Sequence, residues 1–356
     1  MGNSKIRLGI IGAGMIGNIH IQAFGALTEE VEVAAVADVF VPLAEQRAAE
    51  HRIAVVHATP QALLEDKTIE AVVIGVPNKY HAELVIEALK QGKHVLIEKP
   101  MAINELEAKA IVEAAEHSGK ILMVSHQMRW TPMARAIKAQ IDSGAVGKIY
   151  YAKTGLFRKK GIPGWGTWFT RMEEAGGGPL IDVGVHMLDL TLYLMGNPKP
   201  VSVFGSTYAE FGPKREGIGA WGKPNWDGYY DVEDLATALI KLDNGATLSL
   251  EVSWAAHAAG ITDDPFVHLM GNEGGLSITG KTGKKVLHEN DAVVVTDVEP
   301  LDGEEERMLL SRHFLSCIRE GKQPNTSVMS GYTTNRILSA IYESSRTGEV
   351  VTINWE

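Results

Sequence analysis

Short apolar runs alternate with amphipathic stretches along the first third of the chain, and this alternation limits the fold more than any other feature. The predicted strands are 6–11, 31–37, 54–57, 71–76, 94–97 and 121–125. Helical patterns of about 10 to 15 residues separate them, which indicates βαβ units and a parallel sheet. The sequence therefore predicts an N-terminal Rossmann domain, an α/β fold built on a doubly wound parallel sheet.

A glycine-rich turn follows the first predicted strand and opens the first predicted helix. The motif is formed by Gly12, Gly14, Met15, Ile16 and Gly17. Gly12 allows a tight turn, Gly14 lets a pyrophosphate approach the backbone, and the helix N-terminus supplies free N–H groups and a positive dipole end. Directly after a strand, the motif predicts dinucleotide binding rather than a structural turn.

Asp38 ends the second predicted strand, about 20 residues beyond the last glycine, where dinucleotide-binding domains carry an acid for the adenine ribose. Its carboxylate can accept a hydrogen bond from a ribose 2′-hydroxyl but would repel a 2′-phosphate. The next two residues, Val39 and Phe40, do not include an arginine. We therefore expect NAD as the cofactor, in preference to NADP.

Further polar residues follow other predicted strands, at the edge where parallel α/β sheets bind ligands. They are Asn78, Glu98, Lys99 and His126, with His81 slightly further along the chain. Asn78 and His81 fit two roles, as cofactor contacts or as turn and helix-cap residues. Lys99 lies between a buried strand and a proline and cannot easily reach solvent, which favours a functional role.

The pattern changes near residue 148. Further strands are predicted at 150–157, 201–208, 235–242, 246–254, 266–270, 276–279, 285–288, 293–297 and 350–353. The turn Asp243-Asn244-Gly245 favours antiparallel pairing. We expect residues 1–126 to bind NAD. Residues 127–356 should form an α+β domain, with a large, mainly antiparallel sheet for substrate binding and oligomerisation and a C-terminal helix able to pack back on the first domain.

A predicted helix that begins after three glycines, 176–178, is apolar almost all round and should be buried. It nevertheless carries Asp182 and His186, four residues apart on one face. One interpretation is a hydrogen-bonded pair that satisfies itself inside the protein. The other is proton transfer next to a substrate.

Aromatic side chains concentrate in a long segment, residues 211–230, between two predicted strands. A segment of this length inside a domain is usually functional or disordered. Trp221, Trp226, Tyr229 and Tyr230 make it too aromatic for disorder. Aromatic faces suit the C–H faces of sugars and equally suit a subunit interface, so both interpretations stay open.

Composition argues against several classes of partner. The formal net charge is -10, whereas nucleic-acid binding needs a basic surface. No apolar run approaches the roughly 18 residues of a membrane span, and no CxxC or HExxH spacing predicts a metal site. The single cysteine, Cys317, fits a reducing compartment. We expect a cytoplasmic protein without nucleic-acid, membrane or metal partners.

Over nearly its whole length the sequence resembles the Gfo/Idh/MocA oxidoreductases, the glucose–fructose oxidoreductase, inositol dehydrogenase and rhizopine-catabolism group. The resemblance rests on GIIGAGMIG at 9–17, PNKYH at 77–81, the Glu98-Lys99-Pro100 turn, GGGPLIDVGVHMLD at 176–189 and a late pattern at 327–344. It implies that Lys99, Asp182 and His186 form a catalytic trio. It also implies dimers or tetramers formed through the C-terminal sheet.

One position departs from the family's pattern. Many members carry a Trp-Arg pair before the triple glycine that contacts the cofactor, but this chain has Trp168-Phe169. Trp168 keeps the expected cofactor contact, whereas the arginine contact is absent unless Arg171 replaces it. Arg158 and Trp165, on the segment before the glycine-led helix, are expected substrate contacts.

The sequence thus predicts an NAD-dependent dehydrogenase of a secondary hydroxyl on a cyclic polyol, sugar or sugar derivative such as an inositol, aldose or glycoside. His186 would act as general base, Lys99 would stabilise the developing alkoxide, and Asp182 would orient the substrate and raise the basicity of His186. Two alternatives stay open: an NAD-dependent glycoside hydrolase working through transient oxidation, and a non-catalytic sugar or NAD sensor. The intact trio speaks against a pure sensor.

Overall fold

The computed structural model describes residues 4–259 and 263–355. Contacts between residues divide the chain into two units. The first unit comprises Met1–Trp130 and Glu304–Tyr332, and the second comprises Thr131–Gly303 and Thr333–Glu356. The chain therefore leaves its first unit, builds the second, and returns to the first for residues 304–332.

Strands and helices are numbered in chain order. The strands are β1 (Ile6–Ile11), β2 (Val31–Ala37), β3 (Val55–His57), β4 (Ala71–Ile74), β5 (His94–Ile97), β6 (Leu122–Val124), β7 (Ile149–Phe157), β8 (Pro200–Tyr208), β9 (Leu235–Leu242), β10 (Thr247–Ser253), β11 (Phe266–Gly271), β12 (Gly275–Thr279), β13 (Thr282–Glu289), β14 (Ala292–Val298) and β15 (Val351–Thr352). The helices are α1 (Met15–Gly25), α2 (Val41–His51), α3 (Pro60–Glu65), α4 (His81–Lys90), α5 (Glu105–Ser118), α6 (Pro132–Asp142), α7 (Met172–Ala175), α8 (Val185–Leu194), α9 (Glu306–Glu320) and α10 (Val328–Thr347).

The first unit is built on a parallel sheet with the strand order β3-β2-β1-β4-β5-β6. This confirms the predicted Rossmann domain. The strand order reverses beside β1, which pairs with β2 on one side and β4 on the other. Such a switch point opens a crevice at the carboxyl ends of the strands, where doubly wound folds bind ligands.

Apolar layers cover both faces of this sheet, as a parallel sheet requires. Helix α9, from the late part of the chain, contributes Leu310, Phe314 and Leu315 to one layer, where they belong to the same cluster as Leu8 and Phe24. Cys317 is a buried member of that cluster. Residues far apart in sequence therefore complete the core of the cofactor-binding fold.

The second unit is built on a nine-stranded sheet with the order β14-β13-β12-β11-β7-β10-β9-β8-β15. The pairs are antiparallel except for β7 with β10, which are parallel. The predicted α+β fold with a large, mainly antiparallel sheet is thus confirmed. The predicted hairpin joins β9 to β10, with Gly245 at a φ of +86° in its turn.

One face of the second sheet is covered and the other is open. In β9, Ala236, Ala238, Ile240 and Leu242 are buried while Leu239 is exposed. Among the described residues, no helix is both long and apolar enough to cross a membrane.

Candidate active site

The carboxyl edge of the first sheet carries several of the residues predicted for cofactor and catalysis. Gly12 follows β1, Asp38 follows β2, Asn78 follows β4 after a short connection, and Lys99 follows β5 after one residue. His126 occupies the corresponding place beyond β6 and is buried. The side chains named from strand ends therefore share one edge of one sheet.

The glycine turn is tightly packed at two of its three glycines. Gly12 has a φ of +97°, and a Cβ there would lie 2.4 Å from the main-chain oxygen of Gly75. A Cβ on Gly17 would lie 1.8 Å from the main-chain oxygen of Gly12. Any side chain at either position would therefore displace the backbone of the turn.

The third glycine faces open space instead. A Cβ on Gly14 would meet none of the described atoms within 4 Å, and Gly14 immediately precedes α1. Met15 and Ile16 begin this helix. Among the described residues, no side chain caps its N-terminus. Free N–H groups beside an open glycine fit a pyrophosphate, which needs close backbone approach and a positive helix end.

The Asp38 carboxylate braces the glycine turn. Its Oδ2 accepts a hydrogen bond from the main-chain N–H of Ala13 at 2.7 Å, and its Oδ1 accepts one from Phe40 at 2.8 Å. Sequence reasoning missed Arg47, whose Nε donates to the main-chain oxygen of Ala13 at 3.3 Å. Arg47 is also paired with Glu50 at 2.7 Å, which offsets its charge.

Asn78 and His81 are buried beyond β4. The His81 ring lies between two main-chain oxygens, with Nδ1 at 2.7 Å from Pro100 and Nε2 at 2.9 Å from Val76. A neutral ring can donate to one of these oxygens and a charged ring to both. Burial lowers the pKa of His81. Its ring therefore links the turn after β4 to the turn that carries Lys99.

Glu98 lies in a buried polar network next to Lys99. Its Oε1 is 2.7 Å from His20 Nε2, and it accepts hydrogen bonds from Ser125 Oγ and Arg307 Nη1, each at 2.9 Å. Its Oε2 accepts a hydrogen bond from the main-chain N–H of Lys99 at 3.2 Å. His20 is on α1 and Arg307 on α9, so two helices hold the lysine turn.

The network keeps Glu98 ionised. Burial alone would raise the pKa of this carboxyl, but the hydrogen bond from His20 and the positive charge of Arg307 more than offset burial and hold the pKa well below its usual range. Sequence reasoning found Glu98 but not His20 or Arg307, because they lie 78 and 209 residues away along the chain.

The glycine-led helix in the second unit begins differently from the prediction. A regular α-helix from Pro179 is wrong, because residues Leu180–Gly184 form a π-helical turn and the α-helix begins only at Val185. The wide turn lies at the position of Asp182. Such turns are rare and often occur at functional sites.

Asp182 and His186 differ from their neighbours in solvent exposure. Every residue from Ala175 to Leu192 is buried except these two, which are both partly exposed. A structural pair buried in the core would show the opposite pattern. The two side chains are the accessible polar groups of an otherwise buried segment.

Trp254 holds the Asp182 side chain. Its indole Nε1 donates a hydrogen bond to Asp182 Oδ2 at 3.0 Å. Trp254 is itself fully buried, in a cluster with Ile162, Trp165, Val232 and Ala255. The sequence predicts that Trp254 ends a strand, but it does not indicate that Trp254 contacts Asp182.

Trp165, predicted as a substrate contact, is buried rather than open to a ligand. Its Nε1 donates to the main-chain oxygen of Gly212 at 2.7 Å, its ring stacks on Trp226 at 5.6 Å, and the guanidinium of Arg215 lies 4.7 Å from the ring centre. These contacts make it the packing centre of the aromatic segment.

The other two predicted contacts in this region are partly exposed. Arg158 follows β7, and two hydrogen bonds join its main chain to Ser253. The Arg158 side chain takes no part in these two bonds. Trp168 begins a short 3₁₀ turn and lies against Phe169 at a ring distance of 3.9 Å. Phe169 in turn meets Trp221 edge to face.

The aromatic segment is ordered by its own contacts. Trp221, Trp226 and Tyr229 are exposed, whereas the hydroxyl of Tyr230 donates to the main-chain oxygen of Glu233 at 3.1 Å. Arg171, the possible substitute for the family's arginine, is paired with Glu174 at 3.0 Å.

No group of three or more His, Cys, Asp or Glu side chains in residues 4–259 and 263–355 is arranged to hold a metal ion. The chemistry of the two sets of residues is acid–base and electrostatic. The first unit offers a cradle for a dinucleotide and a braced lysine, and the second offers a carboxylate and an imidazole on an accessible strip.

Comparison with known proteins gives matches over most of the chain. Residues 6–126 match an oxidoreductase family with an NAD-binding Rossmann fold, and residues 134–277 match the GFO/IDH/MocA C-terminal domain. The chain is 30% identical over 352 residues to D-glucoside 3-dehydrogenase from Escherichia coli (strain K12), which covers 98% of this chain and 97% of that protein. It is 29% identical over 323 residues to scyllo-inositol 2-dehydrogenase (NAD(+)) from Bacillus subtilis (strain 168), covering 90% and 88%.

Solved structures give the same fold. A levoglucosan dehydrogenase in complex with NADH matches with a TM-score of 0.88 at 24% identity, over 99% of this chain and 100% of that chain.

Proposed function

The chain belongs to the Gfo/Idh/MocA family of NAD-dependent oxidoreductases, and we propose that it oxidises a secondary ring hydroxyl of a cyclic polyol, sugar or sugar derivative. Its relatives carry names that specify a glucoside and an inositol as substrates. The proposal extends the shared class, a ring with several hydroxyl groups, to this chain.

The observation that carries the proposal is the accessible strip formed by Asp182 and His186. A segment that is otherwise buried from Ala175 to Leu192 leaves one carboxylate and one imidazole partly exposed. Exposing them at the rim of an apolar segment has no packing benefit. Together they offer a proton acceptor and an oriented hydrogen-bond acceptor, the groups that oxidation of an alcohol requires.

Each of the three residues has a distinct task in the proposed reaction. His186 accepts the proton of the substrate hydroxyl as general base. Lys99 offsets the negative charge that develops on that oxygen. Asp182, held by Trp254, accepts a hydrogen bond from a neighbouring hydroxyl of the substrate.

NAD, when bound, supplies the acceptor for the hydrogen and two electrons of the carbinol carbon. The turn at Gly12 and Gly14 and the N-terminus of α1 would hold its pyrophosphate, and Asp38 would hold its adenine ribose. Asn78 and Trp168 are proposed as further contacts. Glu98 and His81 are buried and already engaged, so we propose that they act through the turns that they brace.

The test is a screen of NADH absorbance with the purified protein against inositols, aldoses, glucosides and levoglucosan. We expect NADH to accumulate with at least one cyclic polyol or sugar. Cleavage of a glycoside without net NADH formation would instead identify the hydrolase alternative. Binding of sugar and NAD without any turnover would identify the sensor.

Three substitutions then test the residues. We expect His186→Asn and Lys99→Met each to lower kcat about a hundredfold to ten-thousandfold, with NAD affinity near normal. Asp182→Asn should lower kcat and raise KM. His288→Asn, an exposed histidine on β13, is the control and should leave both constants unchanged.

Thermal unfolding of the same variants separates catalysis from packing. A folded His186→Asn protein with near-normal NADH formation would refute the assignment of His186. A large loss of melting temperature with normal activity per folded molecule would restore the interpretation of a structural pair.

A further inference from the structure

The buried carboxylate of Glu233 is hydrogen-bonded to the start of the segment that carries Asp182 and His186. Glu233 is 5% exposed, and its Oε2 accepts a hydrogen bond from the main-chain N–H of Gly178 at 3.0 Å. Its Oε1 accepts bonds from the main-chain N–H of Leu180 at 2.9 Å and from the hydroxyl of Tyr342 at 3.0 Å. The carboxylate thus accepts three hydrogen bonds, from donors in two parts of the second unit that are far apart in sequence.

The glycines make room for this arrangement. A Cβ on Gly177, whose φ is +152°, would lie 1.8 Å from the hydroxyl oxygen of Tyr342. A Cβ on Gly178 would lie 2.0 Å from the main-chain oxygen of Glu233. The tyrosine hydroxyl and the glutamate backbone therefore occupy the space that side chains at 177 and 178 would fill. Glycine is therefore needed at 177 and 178 to leave space for these neighbouring atoms, and not only for its backbone freedom.

The bound N–H groups are those that a helix start leaves without an internal partner. Glu233 acts as a cap from 53 residues away in the chain, at Leu180, the first residue of the π-helical turn. The main-chain N–H of Asp182 donates to the main-chain oxygen of Gly178 at 3.0 Å. A shift of Gly178 would therefore move Asp182 directly.

Burial shifts the pKa of both side chains in this arrangement. Burial, together with the nearby charge of Glu233, raises the pKa of the Tyr342 hydroxyl well above its usual value, so the tyrosine remains a donor. Burial also raises the pKa of Glu233, against the opposing effect of the hydrogen bonds from Gly178 and Leu180.

We propose that Glu233 and Tyr342 are positioning residues that fix the π-helical turn and so set where Asp182 and His186 stand. The proposal rests on the proposed function for its kinetic part. Asp182 is then held on two sides, through its main chain by the Glu233–Gly178 contact and through its side chain by Trp254. Neither Glu233 nor Tyr342 needs to touch the substrate.

The Trp254 indole N–H reports on this geometry without any substrate. Because it donates to Asp182 Oδ2, a shift of the turn changes its NMR chemical shift and its rate of hydrogen exchange. The chain has 7 tryptophans, so the indole signals can be resolved, and Trp254→Phe identifies the relevant one.

Two variants and one matched control test the proposal. Glu233→Gln keeps the shape but places an amide donor against main-chain donors, and Tyr342→Phe removes only the hydroxyl. The control is Tyr230→Phe, whose hydroxyl contacts the main-chain oxygen of Glu233 and not its carboxylate. All three are compared in the full-length protein by indole NMR, NAD binding and turnover of a substrate found in the screen.

We expect Glu233→Gln to shift the Trp254 signal and to lower kcat about tenfold to a hundredfold, with the Kd for NAD within about twofold of wild type. Tyr342→Phe should move both readouts in the same direction by less, and Tyr230→Phe should leave them unchanged. If Glu233→Gln does not fold, Tyr342→Phe carries the test alone.

An unchanged indole signal and an unchanged kcat in a folded Glu233→Gln or Tyr342→Phe protein would overturn the proposal. So would an equal effect in the Tyr230→Phe control. If the wild-type protein oxidises no polyol or sugar, the proposed function fails, while the NMR comparison still decides whether Glu233 and Tyr342 position Asp182.

Discussion

Among the residues of the proposed dinucleotide site, Asp38 gives the clearest indication of cofactor preference. Both of its carboxylate oxygens already accept a main-chain N–H, from Ala13 and Phe40. The carboxylate is therefore held in a fixed orientation by the glycine turn that it faces. An acceptor fixed in this way can select a ribose hydroxyl over a phosphate without reorganisation.

The first prediction concerns cofactor preference. The double substitution Asp38→Ser with Val39→Arg should shift the ratio of kcat/KM for NAD over NADP toward NADP by about a hundredfold, because it removes the like charge and adds a cation. Steady-state kinetics with both cofactors measures the ratio. Val39→Arg alone is the control, and it should change the ratio much less.

Higher kcat/KM with NADP in the wild-type protein would contradict this prediction. It would point to Arg47, whose guanidinium reaches the same turn through the main-chain oxygen of Ala13.

Residues differ in how far the sequence reveals them. Lys99, Asp182 and His186 were named because each stands out locally, as a charge at a strand end or on an apolar helix. Their supports could not be named in the same way. Trp254 contacts Asp182 across 72 residues, and Glu233 contacts Leu180 across 53. Such contacts follow from tertiary packing, which local periodicity does not report.

Among the secondary-structure elements, α9 has the clearest effect on the site. It belongs to the first unit although it lies after residue 303, and it places Arg307 against Glu98. Local sequence patterns do not reveal that Arg307 pairs with Glu98. The same limit applies to β7 and β10, whose parallel pairing joins strands that are far apart in sequence, and to the π-helical turn at Leu180–Gly184.

The second prediction concerns Arg307. Arg307→Met should lower the free energy of unfolding at pH 7 by about 3 kcal/mol, because it removes one partner of a buried carboxylate. Arg312→Met on the same helix is the control. Arg312 pairs with Glu304 and Glu30 at the surface, so the loss should stay below about 1 kcal/mol.

The sign of the pH dependence follows from the lowered pKa of Glu98. A group with a depressed pKa in the folded state stabilises the protein above its ordinary value of 4.5, and this contribution is lost as the pH falls through the folded-state pKa. The difference between wild type and Arg307→Met should therefore shrink below pH 4.5. Denaturant unfolding at several pH values measures it, and a difference that does not depend on pH would contradict the prediction.

At the scale of the whole molecule, the open face of the second sheet bears on assembly. This face is not uniformly apolar. Exposed Phe204 and Leu239 are register partners on neighbouring strands, but Lys153 and Glu251 form an ion pair of 2.9 Å on the adjoining strands. A face that mixes apolar and charged groups is typical of interfaces between subunits that are also stable alone.

The size of the face also fits association. With strands about 4.8 Å apart and about 3.3 Å per residue, nine strands of roughly seven residues cover on the order of 1,000 Å². A stable interface needs about 800 Å² from each partner. The sheet is therefore large enough to form a homodimer on its own, and a tetramer would need a second surface.

The last prediction is that the protein forms a homodimer or homotetramer through this face, and that Leu239→Glu weakens it. In a twofold interface each substitution occurs twice, so two carboxylates would be buried without partners. Light scattering at micromolar concentration should show an oligomer for the wild type and a smaller species for Leu239→Glu. Leu106→Glu, at an exposed apolar position on α5 in the first unit, is the control and should keep the wild-type mass.

A monomeric wild type would contradict the prediction. An oligomer unaffected by Leu239→Glu would place the interface elsewhere, and Trp221 and Trp226 would then be the next residues to substitute, because they are exposed aromatic side chains of the second unit.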